Sequence, residues 1–365
     1  MAEILIAGYY GFHNAGDEAM LAGIRRSIGE LRPDVTFTAI SGTAAQTRSL
    51  HGIRAVSRSD LKAIWEAIGR ADLVMFGGGS LLQDVTSSRS LIYYLGLATL
   101  AQIRRRPVMF YAQGVGPIVR PLGKVLVPLI VNRVNLITAR DPEAAEAFRR
   151  LGVRRPPITV TADAALTLGP ADPEWGEALL RTAGVDVSRP LIGVSVRPWK
   201  QGEGENEPGL ARALDQLARE FGAAVVFIPM QQQKDVAAGQ AVAAHMQSPA
   251  VVLQGTYNYE ELRAMIARCN LLVGLRYHSL VFAAMSGVPL VGLSYDPKND
   301  AFLRLIGQPV AGSLGALDPE AVAAAGRRAL GNADACREEL LRHMDRLVPL
   351  ARLNAELAVE LLPKG

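Results

Sequence analysis

Four side chains that can carry positive charge stand where chemistry on an anion could take place. Each closely follows an apolar run that predicts a buried strand, and the four are Arg197, Arg276, His278 and Lys298. Because the carboxyl ends of parallel strands meet at one edge of a sheet, we expect these side chains to converge. Guanidinium groups pair bidentately with carboxylate and phosphate. The pattern therefore predicts a strongly cationic pocket, although each residue taken alone is more often a solvated surface charge.

Glycine-rich turns follow the predicted strands of the first half of the chain. The three glycines Gly77–Gly79 remove every side chain from one turn. A turn by itself rarely needs this, whereas a ligand or a facing loop pressed against the backbone does. A second turn begins at Gly8 and leads into Asn14 and Asp17, where a helix N-terminus favours an anion. Asn14 or Asp17 could equally cap that helix.

Two further motifs of the first half also stand directly after predicted strands. Gln113 opens a second glycine turn, and Arg140 beside Asp141 ends another predicted strand. Both motifs are therefore expected at the carboxyl edge of the sheet. The Arg140–Asp141 pair has an equally common alternative, an ion pair at a helix cap.

These motifs are held by strands and helices that alternate along both halves of the chain. Residues 3–8 predict a buried strand, and residues 14–28 carry apolar side chains at helical spacing. Regular alternation predicts a parallel sheet with helices on both faces. Two such series predict an α/β protein with two facing, doubly wound Rossmann-like domains.

The domain boundaries follow from a change in composition. We expect an N-terminal domain at 1–170 and a C-terminal domain at 190–334, joined by a linker at 171–189 that is rich in Pro, Gly and Asp. A hinge in that linker would let the domains close on a ligand. Residues 335–365 predict a C-terminal helix, and the resemblance to two-domain glycosyltransferases described below implies that it crosses back to the first domain.

The composition excludes several classes of protein. The chain has 365 residues, of which 49% are hydrophobic and 20% charged, as in a folded enzyme rather than a disordered chain. Cys269 and Cys336 are too few for a disulfide framework or a four-cysteine zinc site. None of the five histidines is paired at the spacing of metal ligands, so we expect no metal. His51, His245 and His343 are expected on ordinary surfaces without a role.

The net charge of +4 is spread along the chain, and the one dense basic cluster at 104–106 has no interleaved aromatic residues. This pattern excludes nucleic acid as the expected partner and favours small anions and a membrane surface. Arg104–Arg106 and Arg25–Arg26 are candidates for membrane contact, although solvated helix faces are the commoner role. The N-terminal residues do not have the pattern of a signal peptide, so we expect none, and no apolar run reaches the ~18 residues of a membrane span. We therefore expect a protein that is either cytoplasmic or cytoplasmic and loosely peripheral at the membrane face.

Residues 280–291 look like a run found in nucleotide-sugar glycosyltransferases that have two Rossmann-like domains. In those enzymes a glutamate opens the run and holds the ribose of the donor. Here the corresponding position is Phe282 or Ala283, depending on the alignment. The resemblance therefore implies the same architecture with a donor that is not a nucleotide sugar.

Eight motifs, taken in their order along the chain, resemble those of the polysaccharide pyruvyl transferase family. They are Gly8–Leu21, Gly77–Asp84, Gln113–Pro117, Arg140–Asp141, Asp163–Leu166, Ser195–Trp199, Arg276–Leu280 and Tyr295–Lys298. The resemblance covers residues 2–311 and is strongest to the CsaB-type cell-wall branch. It implies a glycosyltransferase-B-like fold and transfer of a pyruvyl group from phosphoenolpyruvate. In that branch the acceptor is an N-acetylmannosamine residue of a lipid-linked secondary cell-wall polysaccharide. The product is a 4,6-pyruvate ketal that anchors S-layer homology domain proteins.

The same resemblance implies roles for individual residues. In the C-terminal domain, the residues implied to bind phosphoenolpyruvate are Arg197, Arg276, Ser279 and Lys298. His278 would be the general acid toward the methylene carbon or the leaving phosphate, and Asp17 a base or acceptor contact. The residues expected to bind the acceptor or balance charge are Asn14, Gly78, Gly79, Gln113 and Arg140. Phosphoenolpyruvate is a substrate here, and no cofactor or metal is expected.

Two alternatives remain open on the sequence. One is a nucleotide-sugar glycosyltransferase or epimerase of the same fold, which the missing ribose ligand disfavours. The other is an anion- or sugar-binding module without catalysis, which the presence of Arg197, Arg276 and His278 disfavours.

Overall fold

A computed structural model describes residues 2–85, 88–198 and 206–363 of the chain. The chain divides into two compact units. The first comprises Met1–Leu168 and Leu347–Gly365, and the second comprises Gly169–Arg346. Each unit is a parallel α/β sheet with its own core, as the alternation of strands and helices predicted.

The first unit holds a seven-stranded sheet with the order β3-β2-β1-β4-β5-β6-β7, in which every pair of neighbours is parallel. Its strands are β1 (Glu3–Tyr10), β2 (Thr36–Ser41), β3 (Arg54–Ser57), β4 (Leu73–Leu82), β5 (Val108–Val115), β6 (Leu136–Ala139) and β7 (Ile158–Val160). Its helices are α1 (Ala15–Leu31), α2 (Ala44–His51), α3 (Leu61–Arg70), α4 (Ser88–Ile103), α5 (Pro121–Val131) and α6 (Pro142–Arg150), followed by the 3₁₀ helix Ala164–Leu168. The strand order reverses between β1 and β4, which makes their carboxyl ends the expected ligand edge.

The second unit holds a six-stranded parallel sheet with the order β10-β9-β8-β11-β12-β13. Its strands are β8 (Leu191–Ser195), β9 (Ala224–Phe227), β10 (Ala250–Val252), β11 (Leu271–Gly274), β12 (Leu290–Ser294) and β13 (Val310–Ser313). Its helices are α7 (Pro173–Thr182), α8 (Asn206–Phe221), α9 (Gln232–Ala243), α10 (Tyr259–Ala267), α11 (Tyr277–Met285), α12 (Pro297–Leu305) and α13 (Pro319–Gly331), and the chain ends in α14 (Ala333–Glu360). Here the order reverses between β8 and β11.

Four helices begin with the same Asp-Pro dipeptide. Proline occupies the first turn, where its missing N–H costs nothing, and the aspartate accepts a backbone N–H of that turn. The aspartates are Asp141, Asp172, Asp296 and Asp318. One consequence concerns the position of Lys298. The sequence placed it just after a strand, and the structure adds that it lies in the first turn of α12, where its backbone N–H donates to Asp296 at 3.1 Å.

One boundary prediction needs revision. The segment 171–189, expected as a linker, contains α7, which packs against α10 where Gly176 lies directly against the Ala264 carbonyl. It belongs to the second unit, because the change of unit falls at Leu168 and Gly169. The C-terminal segment 335–365 is divided between the units at Arg346 and Leu347. Within the first unit, the Asn354 amide donates to the Ala162 carbonyl at 3.0 Å.

Some elements give no clear signal in the sequence. The edge pair of α2 and β3 is short and largely polar, and α5 contains Pro128 within an apolar run. Their boundaries are set by packing on the sheet rather than by local preference. Within the described residues, no helix is both long and apolar enough to cross a membrane.

Cys269 provides a pH-dependent test of the second core. Burial raises the pKa of its thiol to about 12, against an ordinary value of 9.0. The unfolded chain therefore loses this proton at lower pH than the folded chain, so folding is disfavoured as pH rises above 9. We expect Cys269→Ala to cost about 1 kcal/mol at pH 7. That deficit should shrink by about 1.4 kcal/mol per pH unit above pH 9. Urea unfolding of both proteins at pH 7, 9 and 10 measures the change, and a deficit that stays constant would contradict it.

Candidate functional site

The reversal of strand order in the second unit brings together the ends of β8, β11 and β12, which carry the residues predicted to bind an anion. Arg197 follows β8, Arg276 follows β11 and precedes α11, and Lys298 begins α12 after β12. The buried amide of Asn299 ties two of these strand ends together, since it donates to the carbonyls of Leu275 and Leu293 at 2.8 and 3.0 Å.

Arg197 and Lys298 converge on one aromatic ring. The Arg197 guanidinium carbon lies 4.3 Å from the centroid of the Tyr295 ring, and Lys298 Nζ lies 5.2 Å from the same centroid. Lys298 Nζ is also 3.7 Å from Asp296 Oδ2. The buried Arg197 Nε has no hydrogen-bond partner among the described residues. This is a cationic site with an unused donor, which a carboxylate or phosphate oxygen would satisfy. Trp199, the last residue of this motif, lies outside the described residues.

Arg276 is held by an acid that sequence analysis did not single out. Its Nε donates to Asp235 Oδ2 at 2.9 Å, and its Nη2 pairs with Asp235 Oδ1. Asp235 also accepts the backbone N–H groups of Met230 and Gln231 at 3.1 and 2.8 Å. Burial raises the pKa of Asp235, and the Arg276 guanidinium opposes that rise. Asp235 lies in α9, shortly after β9 in the chain. Its place after the end of a strand, like that of Arg276, is the sequence feature that could have indicated it as a site residue.

The Arg276–Asp235 pair should contribute strongly to stability. Asp235→Ala leaves the Arg276 charge half-buried without its partner, which costs roughly 3–5 kcal/mol in comparable pairs. Urea unfolding measures the loss, and Asp345→Ala, an exposed acid of the same unit, serves as the control. The double variant Asp235→Ala/Arg276→Ala should lose less than the sum of the single variants. Additive losses would show that the two side chains do not act as a pair.

His278 and Ser279 occupy the first turn of α11. The His278 ring packs edge-on against Tyr277, with centroids 5.0 Å apart, and tilts against Phe282 at 6.3 Å. Phe282 and Ala283 are both fully buried, so either candidate for the position of the ribose-binding glutamate is part of the core. Ser279 is fully buried, and its hydroxyl donates to the Arg276 carbonyl at 2.6 Å. Ser279 therefore fixes the turn rather than facing a ligand, contrary to its predicted role.

In the first unit, Gly77–Gly79 lie within β4 rather than in the predicted turn, and the protein itself fills the space around them. Gly78 and Gly79 have φ angles of 67° and 74°, which favour glycine. A Cβ on Gly78 would lie 2.6 Å from Met20 Sδ of α1. Burial raises the pKa of the Tyr10 phenol, as do Asp17 and Glu18, and the phenol donates to the Gly77 carbonyl at 2.7 Å. The missing side chains make room for Met20 of α1 and for Tyr10, so a facing part of the protein, and not the ligand that was the other alternative, lies against this backbone.

Gln113 and Asn14 also have structural partners. The Gln113 side chain is fully buried, and its amide donates to the Gly78 carbonyl at 2.9 Å and to the Phe76 carbonyl at 3.2 Å. Asn14 caps α1 by accepting the Gly16 N–H at 3.2 Å. Asp17 is partly exposed in the same first turn, and a Cβ on Gly79 would lie 3.5 Å from its Oδ1. Of these three predicted residues, Gln113 is fully buried, whereas Asn14 and Asp17 are partly exposed at the start of α1.

Arg140 lies in a buried charged cluster. Its Nε is 3.4 Å from Asp141 Oδ2 and its Nη1 is 4.0 Å from Asp163 Oδ2. Its guanidinium packs against Gly114, where a Cβ would lie 2.6 Å from Cζ. With 4% of its surface exposed, Arg140 balances the charge of buried carboxylates and offers no face to an acceptor.

His51 was expected on a surface and is instead buried. Its Nε2 lies 2.8 Å from Glu18 Oε2, while Glu18 Oε1 accepts the Gly11 N–H at 2.8 Å. The pair fixes the turn after β1 to the start of α1. Among the described residues, no group of three or more His, Cys, Asp or Glu side chains could hold a metal ion.

The architecture agrees with solved structures of glycosyltransferase-B type. The structure of Anabaena HepE in complex with UDP and glucose superposes with a TM-score of 0.67, at 16% identity and 99% coverage of both chains. A glycosyltransferase from Rickettsia africae gives a TM-score of 0.64, at 12% identity and 100% coverage of both chains. These likenesses establish the class of fold, a pair of Rossmann-like domains.

The sequence defines the family within that class. The model of the polysaccharide pyruvyl transferase family matches residues 14–297, and the chain belongs to this family. The amylovoran biosynthesis protein AmsJ of Erwinia amylovora is 21% identical over 265 residues. That match covers 68% of this chain and 63% of AmsJ, less than two thirds of the length of the relative.

Proposed function

We propose that this protein transfers a pyruvyl group from phosphoenolpyruvate to a sugar of a bacterial polysaccharide. The observation that carries the proposal is the convergence of Arg197 and Lys298 on Tyr295 beside the reversal of strand order, where Arg197 Nε has no hydrogen-bond partner in the described part of the chain. Membership of the polysaccharide pyruvyl transferase family supports it independently.

The donor matches the charges of this site. Phosphoenolpyruvate carries a carboxylate and a phosphate on one carbon, and guanidinium and ammonium groups bind both. Arg197 and Lys298 are the proposed ligands of these groups. Asp235 engages Nε and Nη2 of Arg276, so Arg276 would reach the donor through Nη1 and be oriented by the buried acid.

The proposed reaction joins the pyruvyl carbon C2 to two hydroxyls of one sugar as a ketal and releases inorganic phosphate. A proton adds to the methylene carbon of phosphoenolpyruvate, and positive charge develops at C2. One sugar hydroxyl attacks C2 and loses its proton. The C2–O bond to phosphate then breaks, and a second hydroxyl of the same sugar closes the ring and loses its proton. The net products are the pyruvate ketal and inorganic phosphate.

His278 and Asp17 are the proposed proton-transfer groups. His278, in the first turn of α11, would protonate the methylene carbon or the leaving phosphate, a step that typically gives 10²–10⁴-fold acceleration. Asp17, the partly exposed acid of α1, would accept a proton from the acceptor hydroxyl. The fixed cations would stabilise the charge of the departing phosphate.

The proposed acceptor is a particular sugar of the polysaccharide. The motif resemblance to the CsaB-type branch supports a lipid-linked N-acetylmannosamine residue of a secondary cell-wall polysaccharide. The product would be a 4,6-ketal that anchors S-layer homology domain proteins. The description of AmsJ as a biosynthesis protein for amylovoran supports polysaccharide synthesis in general terms.

Phosphate release from phosphoenolpyruvate tests the proposal, with a synthetic lipid-linked N-acetylmannosaminyl disaccharide as acceptor and mass spectrometry of the product. Phosphate release with a product heavier by pyruvic acid less water is the expected result. Binding of phosphoenolpyruvate without release would reject this acceptor and call for other sugars. Absence of donor binding, together with binding of a uridine diphosphate sugar, would replace the proposal with the nucleotide-sugar alternative.

A further inference from the structure

A row of exposed apolar side chains runs along one face of α5. Leu122, Val125 and Leu129 are spaced by three and four residues and are 55%, 62% and 51% exposed, whereas Val127 of the opposite face is fully buried. Single exposed apolar residues are common, but a continuous row on one helix face marks an interaction surface. The helix therefore presents a second apolar face besides the one that packs on the sheet.

The neighbouring helix α4 extends this surface. Ile92 and Ile103 are 46% and 63% exposed and fall on one face of α4, eleven residues apart. The Gln102 amide of α4 donates to the Ile130 carbonyl of α5 at 3.0 Å, so the two helices lie side by side. On α3, Leu61 and Trp65 are exposed as well.

Basic residues accompany the α4 and α5 parts of this surface, and that stretch of the chain has no acidic residue, whereas at α3 Asp60 and Glu66 stand next to Leu61 and Trp65. Between positions 85 and 140 the chain has eight Lys and Arg residues and no Asp or Glu. Arg140 is buried, and Arg106 Nη2 donates to the Gly69 carbonyl. The Arg104 guanidinium lies over the Trp65 ring at 4.5 Å, which joins the charge of α4 to α3. We call this combined surface the apolar–basic face. Its members are Leu61, Trp65, Arg89, Ile92, Ile103, Arg104, Arg105, Val119, Arg120, Leu122, Lys124, Val125 and Leu129.

We propose that the apolar–basic face docks on an anionic lipid bilayer. Apolar side chains of a helix enter the boundary between headgroups and acyl chains, and flanking cations are attracted to anionic lipids. Tryptophan and arginine are well suited to that boundary. The positive charge of residues 85–140 favours an anionic surface as the partner. It disfavours a second copy of this chain, whose net charge is also positive. The other basic candidate, Arg25–Arg26, is less suited, because Arg26 is engaged by Glu30 at 2.9 Å and by the Leu168 carbonyl at 3.0 Å.

Co-sedimentation with vesicles tests the proposal without any requirement for catalysis. The wild-type protein should bind vesicles that contain phosphatidylglycerol and bind neutral phosphatidylcholine vesicles at least tenfold more weakly. Val125→Glu/Leu129→Glu should abolish binding. Arg120→Ser/Lys124→Ser should weaken it about 25-fold, since each cation near an anionic surface contributes about fivefold.

Matched controls separate docking from folding and self-association. Leu341→Glu/Leu350→Glu places the same charges at exposed leucines of α14 and should bind vesicles like the wild type. Thermal unfolding followed by circular dichroism checks that each variant is folded. Failure of the wild type to bind anionic vesicles, or equal binding to neutral ones, would overturn the proposal. It would also be overturned if the protein bound no vesicles but were a dimer that Val125→Glu/Leu129→Glu dissociates, because a second copy would then occupy the face.

Discussion

Arg197→Ala should lower kcat/KM for phosphoenolpyruvate by roughly 10²–10³-fold, the usual effect of removing one preorganised charge that stabilises a transition state. The reason is geometric. The Arg197 guanidinium is held over Tyr295 beside Lys298, and its Nε has no partner among the described residues. Steady-state phosphate release measures the rate, and calorimetry measures the donor affinity, which should fall as well.

Two control variants accompany Arg197→Ala: one keeps the positive charge at position 197, and the other removes an arginine elsewhere in the unit. Arg197→Lys should recover only part of the loss, because an ammonium group cannot make the bidentate contact of a guanidinium. Arg212→Ala, which removes an exposed arginine of α8 in the same unit, should leave kcat/KM unchanged. A fully active Arg197→Ala enzyme would remove this residue from the donor site and leave the proposed function without its main structural support.

His278→Asn should lower kcat by roughly 10²–10⁴-fold while much of the affinity for phosphoenolpyruvate is retained. A general acid acts on the reacting bond, whereas donor binding depends mainly on the cations around it. Phosphate release at saturating donor and calorimetry with phosphoenolpyruvate alone separate the two effects.

His245→Asn is the matched control for His278, since His245 is exposed in the same unit. It should behave like the wild type in both measurements. If His278→Asn binds no donor, the histidine is a binding residue rather than the acid. If its kcat is unchanged, the proton comes from another group.

The sequence determined the α/β class, the two series of strands and the placement of Arg197, Arg276, His278 and Lys298 after strands. Alternation of apolar runs and helical spacing is a local property, and parallel sheets place carboxyl ends together. Family membership also follows from motifs that are continuous in the chain.

The tertiary structure decided which of these residues remain available to a ligand. Asp235 is 41 positions from Arg276 in the chain yet holds its guanidinium, and Arg140 lies in a buried cluster with Asp141 and Asp163. His51 likewise lies beside Glu18 in the core. Partners so distant in sequence leave no local pattern, because their contact exists only once the sheet has formed.

The surroundings of Gly77–Gly79 in β4 and the exposure of the apolar–basic face were likewise decided by the tertiary structure. The sequence indicated that Gly77–Gly79 need space, but only packing showed that Met20 and Tyr10 fill it. The apolar run of α5 does not by itself indicate which of its residues are buried, and the fold leaves Leu122, Val125 and Leu129 exposed. Burial depends on which face of a helix meets the sheet, and that is a property of the assembled unit rather than of the helix.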